Sequence, residues 1–122
     1  MFGLFQRPKL EASFAASEGV SNEFTKEIVL AGRLVVKNDG GDAELTSVEM
    51  MIIAGFRRIP LEVPPAWKAF RLGKGESKSD DLRWTLTLDS PLRAQAGELF
   101  VGVQDQKRHA WQWRLPFKFD LR

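Results

Sequence analysis

The sequence predicts an all-β domain: an antiparallel two-sheet β-sandwich of seven or eight strands, immunoglobulin-like in architecture. Three observations lead there. Leu82, Trp84, Leu86 and Leu88 fall on one side of an extended segment, with Arg83, Thr85 and Thr87 on the other. Trp111, Trp113, Leu115, Phe117 and Phe119 repeat this alternation near the other end of the chain. A period of two marks a strand with one buried and one wet face. Third, turn residues punctuate the apolar runs at short intervals, as a sandwich or barrel requires.

The strands follow in order. The first covers residues 9–16, with Leu10, Ala12, Phe14 and Ala16 on one face, and residues 17–22 read as a loop. A β-branched strand spans residues 28–37. Residues 38–42 (Asn38, Asp39, Gly40, Gly41, Asp42) carry the strongest turn signal, because glycine and asparagine tolerate the positive φ of tight hairpin turns. The return strand spans residues 45–54. Its centre, Met50 to Ile53, is apolar at consecutive positions, which predicts burial on both sides or a loop covering its outer face. Pro60, Pro64 and Pro65 exclude a helix interior or central strand there, leaving a short edge strand at 56–59 and a proline-rich crossover.

Beyond the crossover, a strand is expected at 67–72 and a polar loop at 73–81. Strands follow at 82–88, 98–104 and 110–121, separated by a turn at Pro91 and a polar loop at 105–109. Pro116 implies a bulge or an edge position in the last of them. The best helical alternative, residues 90–96, is too short to be stable alone.

Composition narrows the class. The 122 residues fit one domain, 1–122, with a short hydrophobic lead-in over residues 1–8. Hydrophobic content of 43% and charged content of 28% are those of a globular protein. The absence of cysteine excludes disulfides and thiol chemistry and fits a reducing compartment. No apolar run approaches the roughly 20 residues of a membrane-spanning helix. The opening lacks the basic start and apolar length of a signal peptide, so the protein is expected to be unexported and cytoplasmic. A net charge of +2 demands no polyanionic partner.

Four stretches, taken in order, resemble a known family. They are the opening Met1 to Phe5, the alternation and paired glycines from Gly32 to Gly41, the returning residues 43–52, and the run from Trp84 to Leu92 with its Pro91 turn. The order is similar to that of the arrestin-like fold, and in particular to the bacterial sporulation-control proteins. That family commonly carries two sandwiches in tandem, where this sequence has one. The proline usual just before the acidic position is missing at Leu88 and Asp89. The resemblance implies a non-enzymatic scaffold that binds other proteins. The phosphate-sensing polar core of the true arrestins does not map onto this sequence, so no functional residue is carried over.

No residue set assembles a catalytic centre by type. His109 is the only histidine, and without cysteine, a second histidine or a Gly-x-Ser-x-Gly elbow no nucleophile–base pair is available. Asp80 and Asp81 are neighbours whose carboxylates point apart in an extended segment. An enzyme would need His109 to share a pocket with Asp80, Asp81 or Asp105. Asp39, Asp42 and Glu44 offer oxygen ligands but lack the order of an EF-hand loop, so neither a metal nor a cofactor is expected.

Binding is more readable. Between residues 56 and 78 the basic Arg57, Arg58, Lys68, Arg71, Lys74 and Lys78 outnumber Glu62 and Glu76, with Trp67 and Phe70 among them. Base stacking between cations takes this form, but Trp67 and Phe70 fall on opposite strand faces and Asp80 and Asp81 follow at once, so nucleic acid is not the expected partner. Of the four tryptophans, Trp84, Trp111 and Trp113 share their face with leucine and phenylalanine and read as core. Trp67, beside Pro64 and Pro65, is expected to be partly exposed.

The expected function is a non-catalytic protein-interaction or scaffold module that offers an exposed edge strand or loops to a protein partner. Arg57, Arg58, Trp67, Lys68 and Arg71 are the expected binding residues, and a homodimer through the exposed edge is expected too. The alternative is a carbohydrate- or polyanion-binding module, for which two tryptophans would have to lie exposed in an array.

Overall fold

A computed structural model of the chain describes residues 7–122. The alternating segments become nine strands: β1 (Leu10–Ser21), β2 (Glu27–Asn38), β3 (Ala43–Ala54), β4 (Arg57–Pro60), β5 (Phe70–Leu72), β6 (Ser77–Thr87), β7 (Ala96–Asp105), β8 (Ala110–Lys118) and β9 (Asp120–Leu121). One short helix, α1 (Pro65–Lys68), precedes β5. The first sheet has the order β6-β2-β1-β9. The second has the order β4-β3-β7-β8, with β5 also paired to β3. All pairs are antiparallel except β1 with β9.

The period-two pattern places the core between these sheets. Ile28, Leu30, Leu34 and Val36 of β2, with Leu82 and Trp84 of β6, face Met50 and Ile52 of β3 and Leu99, Val101 and Val103 of β7; all are buried. Met51 and Ile53 point the other way, half-buried on the outer face, where Met51 pairs with Phe100. The consecutive apolar run at the centre of β3 thus serves both faces of its sheet.

Residues 38–42 do not form a hairpin, because β2 and β3 belong to different sheets. Gly40 and Gly41 also lack positive φ; among the described residues, the glycines that have it are Gly55 and Gly75. Gly40 is required for close approach, since a Cβ there would run into the carbonyl oxygen of Arg7. The crossing is held by the fully buried Asn38, whose side chain accepts from the amides of Lys9 and Gly40 and donates to the carbonyls of Gly41 and Leu72.

Other boundaries also moved. The polar residues 77–81 are strand, because β6 is an edge strand whose outer face can stay wet while β2 supplies its hydrogen bonds. β1 continues to Ser21 past a bulge between Ala16 and Glu18. The expected strand at 67–72 starts as α1, since Pro65 needs no amide partner in a first turn. The last strand breaks at Phe119, whose amide bonds to Gln95 O at 2.6 Å, and β9 crosses to pair with β1. Pro116 lies on the edge strand β8.

These registers fix the two ends of the sandwich. Connections 22–26, 55–56 and 88–95 lie at one end with residues 119–122. Connections 38–42, 73–76 and 105–109 lie at the other. The motif at Met1 to Phe5 falls outside the described residues.

Candidate functional site

The structure divides the expected binding residues instead of gathering them. β4 and β5 pair with opposite ends of β3, so Arg57 and Arg58 lie far along the sheet from Lys68 and Arg71. Arg57 donates to the carbonyl oxygens of Ser90 and Pro91 at 3.0 and 3.2 Å, bracing the loop before β7. Arg58, Lys68 and Arg71 are exposed, with Arg71 opposite Glu44 across the ladder.

Trp67 is the main correction. It is 0% exposed, not partly exposed. The turn of α1 rolls its indole into the gap between the sheets, in an edge-to-face arrangement with the Phe70 ring, centroids 5.3 Å apart. Its Nε1 finds a polar partner in Asp80 Oδ2 at 2.8 Å, and Lys78 Nζ lies 4.9 Å from its ring centroid. A residue so enclosed offers a partner no surface.

The candidate chemical groups are likewise committed elsewhere. Asp81 accepts hydrogen bonds from Nε and Nη2 of an exposed Arg33, and Asp80 holds Trp67. His109 does meet Asp105, Nδ1 to Oδ2 at 3.0 Å. Burial pushes the Asp105 carboxyl up, but the side chain and amide of His109 and the amide of Lys107 together hold it below the usual carboxylate range. This set of bonds closes the 105–109 turn. A depression of about 500 Å³, lined by Ile53, Gly97, Arg114 and Pro116, opens at the opposite end of the molecule. Among the described residues, no three acidic or histidine side chains are placed to share an ion, and Asp39 instead pairs with Lys37 at 3.5 Å.

One surface open to a partner is the side where β1 and β8 face one another. Near the end of β8 the sheets touch: a Cβ on Gly19 would come 2.5 Å from the carbonyl oxygen of Lys118. Phe14 meets the edge of the Phe117 ring there, with centroids 6.3 Å apart. Toward the start of both strands the side chains are only half-buried: Ala12 and Phe14 on β1, Trp111, Trp113 and Leu115 on β8. The expectation of core holds for Trp84, which is buried with its Nε1 bonded to Glu62 O at 2.8 Å. It holds only in part for Trp111 and Trp113.

Among the described residues, both strands flanking this seam have a free edge. β9 covers β1 only at Val20 and Ser21, and β8 pairs with β7 alone. The exposed edges differ in their charge. β6 carries Lys78, Asp80, Asp81 and Arg83, and β8 carries Arg114, Pro116 and Lys118, all features that discourage strand addition. From Ala12 to Ser17, β1 has no charged residue at all. Period-two reading cannot find this seam, because alternation marks the inward face of a strand and not whether another strand lies beside it.

No protein-family model matches the sequence, and no curated protein matches it. Solved structures do. The ApaA protein of Bordetella pertussis is 15% identical with a TM-score of 0.62, covering 93% of this chain and 94% of its own. The sporulation control protein Spo0M of Bacillus subtilis is 12% identical with a TM-score of 0.63 over 93% of this chain. The chain spans about half of that protein, 49% of its length. A structural-genomics target, SoR45, is 10% identical with a TM-score of 0.52, covering 98% of this chain and 89% of its own. At such identities the likeness establishes the fold. The chain folds as the sporulation control protein does, in line with the arrestin-like resemblance of its motifs.

Proposed function

We propose that this domain is a non-catalytic protein-interaction module that binds an extended segment of a partner along the free edge of β1. The observation that carries this reading is the uncharged edge from Ala12 to Ser17 beside the half-buried Phe14, Trp111 and Trp113. An added strand gains main-chain hydrogen bonds from β1 and places alternate side chains against the aromatic seam. Affinity then comes from covering Trp111 and Trp113, since large aromatic side chains dominate interface energetics. A second copy presenting its own β1 is the simplest partner, giving a two-fold homodimer. No helix among the described residues is long and apolar enough to cross a membrane, and the domain is read as cytoplasmic.

The test is a series of backbone amide spectra over a dilution range, repeated with a synthetic peptide of residues 10–21. Shifts concentrated at residues 10–17 and 110–115, and lost in Ala15→Lys, are expected. A monomer whose β1 amides ignore both dilution and the peptide defeats the reading.

The half-burial of Trp111 and Trp113 on one face of β8 favours a second reading, a carbohydrate site in the same seam. Tryptophan fluorescence quenching by a soluble oligosaccharide, abolished by Trp113→Ala but not by Ala15→Lys, separates it from strand addition.

A further inference from the structure

Two large apolar side chains are strongly exposed among the described residues, Phe24 at 89% and Phe56 at 107%, and a third, Leu121, is partly exposed at 39%. Strand registers place all three at the same end of the sandwich, remote from the mouth of the β1–β8 seam. Chance scatter of surface hydrophobics requires no explanation, but their collection at one end does.

The two phenylalanines are presented by rigid turns. Phe24 sits in the β1–β2 connection, where Asn22 Oδ1 accepts from the amides of Phe24 and Thr25 and Asn22 O accepts from Lys26 N. Phe56 occupies a two-residue turn between Ala54 and Arg57, with Gly55 at φ +60. Arg57 ties that turn to the 88–95 loop through Ser90 and Pro91. Neither tip is a floppy loop whose side chain could fold back.

Charge accompanies each tip. Lys26 follows Phe24 and Thr25, Arg57 and Arg58 follow Phe56, and Arg122 follows Leu121, with Lys118 just upstream of Phe119. Of the carboxylates at this end, Glu23 is paired with Arg93 and Asp120 with Arg122, leaving Glu27 and Asp89 against Lys26, Arg57, Arg58 and Lys118. The surface is therefore apolar at its tips and cationic around them.

We propose that this end of the sandwich docks on an anionic lipid surface, with Phe24 and Phe56 entering the headgroup–acyl boundary and Lys26, Arg58 and Lys118 meeting lipid phosphates. A protein anchor pocket favours clustered, packed residues ringed by contacts that exclude water. Here the two aromatic tips are carried by connections of different sheets, and each stands clear of its neighbours. A fluid interface accepts such isolated tips, and anionic lipid attracts the flanking cations. The proposal stands apart from strand addition at β1 and uses none of its residues.

The experiment is co-sedimentation of the full chain with sucrose-loaded vesicles, either pure phosphatidylcholine or phosphatidylcholine with about a third phosphatidylglycerol, at roughly 0.1 M salt. Binding to the anionic vesicles and much weaker binding to the zwitterionic ones is expected. Phe24→Ser and Phe56→Ser should each weaken partitioning by about tenfold, since each removes one inserted side chain. Arg58→Glu should weaken it on anionic vesicles and leave the zwitterionic background alone. Unfolding midpoints should stay unchanged, because both rings are exposed. No binding to anionic vesicles, or full binding by the doubly substituted Phe24→Ser, Phe56→Ser chain, overturns the proposal. Equal binding to both vesicle types overturns it too.

Discussion

The indole nitrogen of Trp67 donates to Oδ2 of Asp80 at 2.8 Å, fastening the crossover from one sheet onto the edge strand of the other. The bond lets a fully buried indole satisfy its one polar atom while its carbons fill the gap between β3 and β6. Trp67→Phe keeps most of the apolar volume and leaves a half-exposed Asp80 to water, so a loss of about 1–2 kcal/mol is expected. Trp67→Ala opens a cavity and should cost about 3–5 kcal/mol. Urea unfolding reads both. Near-wild-type stability of the alanine variant would mean the crossover contributes nothing to the core.

That residue also shows where sequence reading stops. The strands with one wet face were legible because alternation is a local property: residues 28–37, 45–54 and 98–104 each lie within the strand that forms there. So was the assignment of Trp84 to the core. The prolines beside Trp67 predict its exposure, but they constrain the backbone and say nothing about which way a short helix turns its side chains. The hairpin at residues 38–42 failed similarly. Its asparagine and glycines are by type φ-tolerant turn residues, while Asn38 is a buried four-bond connector and Gly40 makes room for Arg7. Partners distant in sequence set both roles.

Asn38 offers the sharpest polar test. Its amide uses both donor hydrogens and its oxygen accepts two amides, so every bond it can make at this buried site is formed. Asn38→Asp sets carboxylate oxygen against the carbonyls of Gly41 and Leu72. Asn38→Leu leaves those carbonyls and the amides of Lys9 and Gly40 without this partner. Each should cost about 3 kcal/mol or more, the aspartate less at low pH, where a protonated carboxyl can donate again. Chemical denaturation at two pH values distinguishes them.

Asp105 links stability to acid. Its carboxyl is depressed in the folded chain, so its contribution is complete above the ordinary aspartate value near 3.9 and is lost as pH falls through the lower folded value. Wild type should therefore lose stability below about pH 4 more steeply than Asp105→Asn. Asp81 is lowered too, by its hydrogen bond to Arg33 and then by that cation's charge, but both partners are exposed. Added salt should weaken the Asp81 effect and spare most of the buried Asp105 effect. Urea midpoints against pH, at low and high salt, provide the check.

Gly32 controls how far the β1–β8 seam closes. A Cβ at this position would lie 2.5 Å from Ala15 O and 2.6 Å from Phe14 Cζ, so the bare glycine is what lets the Phe14 ring lie across β2 and reach Phe117. Gly32→Ala must displace that ring and also lift β1 from β2, because Ala15 O and Ala16 Cα (2.8 Å) are backbone atoms, and strained repacking of this kind costs about 1–3 kcal/mol or more. Because the nearest contact is the backbone oxygen of Ala15, β1 should shift against β2 and carry Phe14 with it. Its displacement should appear as altered ring-current shifts on Phe117 and greater solvent access to Trp113. If the seam is where a partner strand binds, this substitution should change self-association as well as stability, whereas a glycine that only relieved local crowding would change stability alone.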